Sequence, residues 1–319
     1  QHDPNFIYKD AALYNIGFIS SQLKRNQIDS NKDRFYELNS TALTLDPSSK
    51  YKYSDFAEAI TSYQEIVDNY KSSPYYDESL YRLGVLNYYL ATDADEPARF
   101  YALATNYFDE IIANPESKYR YDAIYQRGWL RLNTANDEDL KLAMADFLYL
   151  LTAIENNQIT DPMLIQDYHD DAVKNIAYCL IALDGLDFSS QAKGVSELEQ
   201  VFAGYSNKQI IARVLDQAAK NKFDLDASLQ GADFIWLKIN MNPLALENPS
   251  LLDSILYIYA REARNLREGQ DFNQARQDIY LNLIANYGKD SDWYNANKEK
   301  NVVPKLAVVK TAFVAIGRG

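Results

Sequence analysis

Small and apolar residues recur along this chain at spacings of three and four, in blocks that resemble one another. "SLYRLG" (Ser79 to Gly84) returns as "ALYNIG" (Ala12 to Gly17), "AIYQRG" (Ala123 to Gly128) and "AVKNIA" (Ala172 to Ala177). Each block is a small residue, an aliphatic, usually Tyr, two variable positions, then Gly or Ala. A second pattern alternates with the first: a small residue or Leu, followed four positions on by an aromatic. Ala59 and Tyr63, Leu103 and Tyr107, Ala145 and Tyr149, and Ala232 and Trp236 fit it, with a weaker echo from Ala275. Spacing i, i+4 places both members on one helical face, so both patterns predict amphipathic helices. Gly84 and Gly128 stand 44 residues apart, as do Ala59 and Leu103. Later helices are marked by breakers and caps: one from Pro249 with Asn248 as N-cap, another from Asp271 to Gly288. About thirteen helices are expected, and no segment reads as a strand.

Self-similarity of this kind points to a repeat architecture, because a lone helical hairpin cannot bury its apolar stripe and must stack on copies of itself. Leu80, Leu83 and Gly84 in the first pattern, Ala59 and Tyr63 in the second, and Pro115 twelve residues after Leu103 resemble the signature of the tetratricopeptide repeat (TPR). The resemblance implies an all-α solenoid, a right-handed superhelix of antiparallel helix pairs. Regular repeats are expected over residues 1–185, with an inserted loop at 27–52 that includes the turn-rich "NSTALTLDPSSKYKYS". Degenerate hairpins are expected to continue the same solenoid over 186–319. The wording around "SPYYDESLYRLG" is similar to TPR proteins of the bacterial cell envelope, such as the Tol–Pal coordinator and the outer-membrane barrel-assembly lipoprotein. That likeness implies a periplasmic or outer-membrane-associated location. The opening at Gln1 without Met and the apolar close "AFVAIGRG" are expected of a processed or longer natural protein.

Composition removes most catalytic classes. Gly is scarce, 11 of 319 residues, which argues against phosphate-cradling loops. The net charge of −13 and the absence of basic runs argue against binding nucleic acid or anionic lipid. No apolar run is long enough to span a bilayer, so no direct membrane insertion is expected. The one cysteine, Cys179 in "IAYCLIAL", reads as a buried inert thiol. Of two histidines, His2 is terminal, and His169 in "QDYHDDA" stands just ahead of an expected helix with no second His at i+4. Nothing forms a metal-ligand set or a Ser–His–Asp triad. Paired carboxylates in an aromatic funnel would suit a glycosidase, yet the connections look too short to build one. The expectation is no enzyme, no metal and no cofactor.

The informative excess is aromatic, with 26 Tyr, 13 Phe and 3 Trp. The TPR resemblance implies that the residues one and five places after the first signature position of each first helix (Leu13, Leu80, Ile124 and Val173) face an inner groove. These are Tyr14 and Phe18, Tyr81 and Val85, Tyr125 and Trp129, Lys174 and Tyr178. A partner-binding groove of Tyr14, Phe18, Tyr81, Tyr125, Trp129 and Tyr178 is therefore expected, although the same side chains could pack against neighbouring helices. Lys and Asn do not fill these positions, which argues against a carboxylate clamp. Glu78, Asp122 and Asp171 beside them would favour a basic or neutral segment. The functional expectation is a scaffold holding a peptide segment or helix of an envelope protein. The alternative is a helical glycan-binding module of an outer-membrane uptake system. A small-molecule ligand is not expected.

Overall fold

A computed structural model of the chain describes residues 8–39, 56–93, 97–134, 136–183, 191–266 and 271–317. They form fourteen helices and no strand, so the protein is all-α over the described residues. His2, the expected boundary at 185 and residues 40–52 of the expected loop lie outside them. Its backbone contacts divide the chain into two compact units: residues 1–134 with 145–150, and residues 135–144 with 151–319.

The first unit contains α1 (Lys9–Asn39), α2 (Ala57–Asn69), α3 (Tyr76–Asp93), α4 (Pro97–Ala113), α5 (Arg120–Thr134) and a segment of α6 (Asp137–Glu155). Consecutive helices pack on each other from α1 to α5. Residues 27–39, expected to begin a loop, instead continue α1 without a break. No Gly or Pro stands between Gly17 and Pro47 to stop it.

Helix pairs are drawn together where a glycine of one helix meets an aromatic ring of the next. A Cβ added at Gly17 would lie 2.9 Å from the Tyr63 ring, at Gly84 2.5 Å from Phe108, and at Gly128 2.9 Å from Phe147. The glycines of the first pattern are thus sites of close helix approach. The second pattern needs a correction of register. In α2 Ala59 and Tyr63 are the core pair, as expected, but in α4 it is Ala104 and Phe108, and in α6 Ala143 and Phe147. Leu103 and Tyr107 lie partly exposed, while Ala145 and Tyr149 face out. The reason is chemical: where Phe and Tyr stand close together, the ring without a hydroxyl is the cheaper one to seal from water. The displaced hydroxyl of Tyr107 donates to Oε1 of Gln64 at 2.6 Å.

The second unit contains the rest of α6, then α7 (Pro162–Ala182), α8 (Gln191–Val201), α9 (Lys208–Asp224), α10 (Ser228–Met241), α11 (Asn248–Arg261), α12 (Phe272–Tyr287), α13 (Asp292–Asn297) and α14 (Val303–Ile316). Several of its helices begin on polar caps: Asp161 accepts from the Met163 amide, Asn207 from Gln209 and Ile210, and Asp271 from Gln274. Because α7 starts at Pro162, His169 lies inside a helix rather than ahead of one. Asn248 is also not a cap. Fully buried, it donates from Nδ2 to the Asn242 carbonyl at 2.9 Å, and the capping position falls to Glu247. α10 is buried nearly all round, through Ala232, Phe234, Ile235, Leu237 and Ile239, and packs against α8, α9 and α11.

Candidate functional site

The candidate surface is the face of α1, α3 and α5 that carries the repeated tyrosine. Four residues before each opening small residue stands another Tyr: Tyr8, Tyr75, Tyr119 and Tyr168. Tyr75 and Tyr119 sit in the turns after α2 and α4, placed the same way. In each, the Tyr amide donates to a serine hydroxyl two residues back, Ser73 or Ser117. Each turn ring then stacks on the repeat tyrosine of the preceding first-pattern helix. Tyr75 lies 4.6 Å from Tyr14 at 20°, and Tyr119 lies 5.4 Å from Tyr81 at 15°. Both Tyr14 and Tyr81 are thereby fixed in place, with one side given to the stack.

The Tyr14 hydroxyl is fixed too. Tyr14 donates to Oε1 of Glu78 at 2.6 Å, and Arg82 donates to the same oxygen at 3.1 Å. Burial would raise the Glu78 carboxyl, but hydrogen bonds from Tyr119, Tyr14 and Arg82 outweigh it and hold the pKa below its ordinary value. Tyr14 and Tyr119 are pushed up, by burial first and then by Glu78. Burial together with Asp122 raises Tyr81 to about 12. These phenols stay neutral and act as hydrogen-bond donors, not as acids near neutral pH. The Arg82 guanidinium also lies 5.7 Å from the centre of the Phe18 ring, a cation–π contact.

The six expected groove residues therefore do not share one environment. Tyr14 and Tyr81 are half-buried in stacks. Phe18 is 36% exposed beside Arg82. Tyr125 and Trp129 on α5 are half-buried and meet edge to face at 6.5 Å, with Tyr125 also edge-on to Phe147. Tyr178, 50% exposed on α7, belongs to the second unit. The turn tyrosines were missed as site residues. Their signal is the column at 8, 75, 119 and 168, two members of which, Tyr75 and Tyr119, fall within the 44-residue alignment.

Behind this face lies a cluster of ions. Asp146 accepts from Arg127 at 2.5 Å and from Arg131 at 2.7 Å, and Arg127 also reaches Asp109 at 2.5 Å. Burial pushes the Asp146 carboxyl up while the two guanidiniums pull it down. The cluster ties α4, α5 and α6 together.

Other candidate chemistry is placed as follows. Burial raises the Cys179 thiol to about 12, which removes thiolate at neutral pH. His169 lies beside Asp170 at 3.3 Å, and Arg213 binds that carboxylate at 3.0 Å, so Asp170 is shared with a guanidinium. No cluster of His, Cys, Asp and Glu suited to a metal occurs among the described residues. No described helix is long and apolar enough to cross a membrane. What the tyrosine face offers is rigid aromatic surface, hydroxyls and a carboxylate, an arrangement suited to recognition. Set beside family models, curated proteins and solved structures, the chain matches none of them.

Proposed function

We propose that this chain is a non-catalytic helical-repeat scaffold of the TPR type. In this reading the helix pairs form a solenoid, and the face carrying Tyr14, Phe18, Tyr81, Tyr125 and Trp129 holds a segment of another protein. The observation that carries it is the shared register: Tyr14, Tyr81 and Tyr125 hold one repeat position on α1, α3 and α5. Phe18 and Trp129 stand one turn further along two of these helices. Stacking on both rings, with a hydrogen bond from Tyr14 to Glu78, has already removed rotational freedom of Tyr14 and Tyr81, so little entropy remains to be lost on binding. Glu78, Asp122 and the overall charge of −13 favour a basic or neutral segment. The likeness to cell-envelope TPR proteins makes the periplasm or the outer membrane the proposed setting.

Phe18 and Trp129 are the residues to test, because Tyr14 and Tyr81 also support neighbouring turns. Peptides selected on the full chain by display should lose about tenfold or more in affinity for a Phe18→Ala, Trp129→Ala double variant. The melting temperature should move little. Equal affinity for the double variant, or a loss that only tracks unfolding, would sink the reading. Selection of glycans instead of peptides by the same residues would replace it with a glycan-binding module.

A further inference from the structure

Two clefts of opposite character meet in the second unit. One, of about 790 Å³, runs between α12 and α14, with Ile284, Val303, Leu306, Val309 and Phe313 among its walls. The other, of about 480 Å³, runs from the end of α10 to α12 and α13, and carries the amides of Asn240, Asn282 and Asn286 with the carboxylates of Asp290 and Asp292. Ala285, Asp290 and Ser291 line both, so the clefts adjoin along that strip.

The polar cleft is built of groups without partners. None of its three Asn side chains makes a hydrogen bond among the described residues, and Oδ1 of Asn282 is sealed from water with no donor. Its floor is firm: Trp293 donates from Nε1 to the Ala245 carbonyl at 2.7 Å, and Asn297 from Nδ2 to the Leu244 carbonyl at 2.8 Å. The apolar cleft is equally uncovered, with Val303 74% and Phe313 53% exposed on α14. Lys289 and Lys310 also line it, neither in an ion pair among the described residues.

We propose that the paired clefts bind a single-chain amphiphile, its alkyl tail between α12 and α14 and its neutral, hydroxyl-rich head among the asparagines. The head follows from the donor and acceptor inventory. Amides offer both donors and acceptors, while the two carboxylates only accept. An anionic head would face Asp290 and Asp292. A quaternary ammonium would leave the amide N–H groups unpaired. A hydroxyl both donates and accepts, so it satisfies the carboxylates and the exposed amide groups together. The tail covers Phe313 and Val303, and the lysine stems can lie along it with their ammonium groups in water.

Calorimetry on the full chain, with n-decyl maltoside below its micelle concentration, tests this. Saturable one-to-one binding is expected, about tenfold or more tighter than for decanoate or decyltrimethylammonium, and with maltose alone not binding detectably. Ala285→Trp, at an exposed position on the shared strip, should weaken the maltoside about tenfold or more. Asn282→Leu should weaken the maltoside but leave the decanoate signal unchanged. No saturable binding, decanoate binding more tightly, or indifference to Ala285→Trp would each overturn the proposal. So would a dimer in sedimentation that Phe313→Asp dissociates and the maltoside does not affect, because a second copy would then be the occupant.

Discussion

The two units solve the same packing problem with different chemistry. In the first, helices approach where a glycine lies flat against a ring, and tyrosine hydroxyls tie one helix pair to the next through Glu78. In the second, apolar faces do most of the work: α9, with Ile210, Ile211, Val214 and Leu215 buried, packs on the largely buried α10. Its polar side chains cap helix ends and turns, and those that join helices, such as Arg213 with Asp170 and Lys238 with Asp216, are ion pairs without aromatic stacks. A comparable glycine contact there, Gly231 against Phe223, runs in reverse order, with the ring on the earlier helix. Aromatic, hydrogen-bonded packing fixes side-chain directions more tightly than aliphatic packing does, because rings and hydroxyls have preferred geometries. Such a surface suits recognition, and the repeated tyrosine face lies in the first unit.

The sharpest way to break this contrast is through the ions of the first unit. Asp146→Ala would leave Arg127 and Arg131 sharing a mostly buried site with Asp109 alone. A loss of about 3–5 kcal/mol is expected, since the cost falls on the uncompensated guanidiniums. Hydrogen exchange should show the loss first in amides of α4 and α5, with α9 and α10 still protected. Uniform loss across α9 and α10 would mean that the units do not respond separately.

Next come the glycines. Gly84→Ala sets a Cβ 2.5 Å from a Phe108 ring that is only 1% exposed, whereas Gly231→Ala sets one 2.3 Å from Phe223, which is partly exposed. Distance alone makes Gly231 the worse site. Mobility reverses the order, because Phe223 can swing toward water and Phe108 has nowhere to go. Gly84→Ala should cost about 1–3 kcal/mol and Gly231→Ala clearly less, measured by denaturant melts of the two variants.

These two glycines also mark what could be read in advance. The first-pattern blocks were legible because the demand for a small residue is absolute where two helices nearly touch. The second pattern was legible only to within one or two positions. A ring is needed opposite each glycine, but "NYFDE" and "DFLYL" each offer two rings, and choosing between Tyr and Phe depends on whether the hydroxyl finds a partner. The end of α1 was misjudged because turn-rich composition further along was extended back over residues with no helix breaker. Asn248 was misassigned because its partner, the Asn242 carbonyl, lies in the turn before its helix. Neither cleft of the second unit was visible, since their residues come from α10, α12, α13 and α14 and share no period.

Acid gives a smaller and reversible effect. The Glu78 carboxyl has a lower pKa folded than its ordinary 4.5. Its contribution is therefore fully present above that value and is lost as the pH falls through the depressed folded value. Glu78→Gln should cost about 1 kcal/mol at neutral pH, with the difference from the parent chain closing in acid. A gap that stays constant from neutral pH down to acid would mean that the carboxylate is not the node joining Tyr14, Tyr119 and Arg82.

The smallest expected effect has the opposite sign. Tyr63 is completely buried, its ring against Gly17 and 6.1 Å from Tyr14, and its hydroxyl has no hydrogen-bond partner among the described residues, the nearby Ser21 hydroxyl donating instead to the Phe18 carbonyl at 2.8 Å. Burial raises its pKa, so the phenol is neutral and the penalty is that of a stranded dipole, not of a charge. Phe108 and Phe147 fill the equivalent places in the next two helix pairs without that penalty. Tyr63→Phe should therefore stabilise the first unit by up to about 1 kcal/mol, the gain being limited by the small void left where the oxygen was. Asn248 is the control from the second unit. Its Oδ1 is equally without a partner among the described residues, but its Nδ2 holds the Asn242 carbonyl, so Asn248→Ala should destabilise. If Tyr63→Phe destabilises as well, its hydroxyl is bonded within the core. The first unit would then owe its aromatic packing to hydrogen bonds even at the position where it most resembles an ordinary apolar interior.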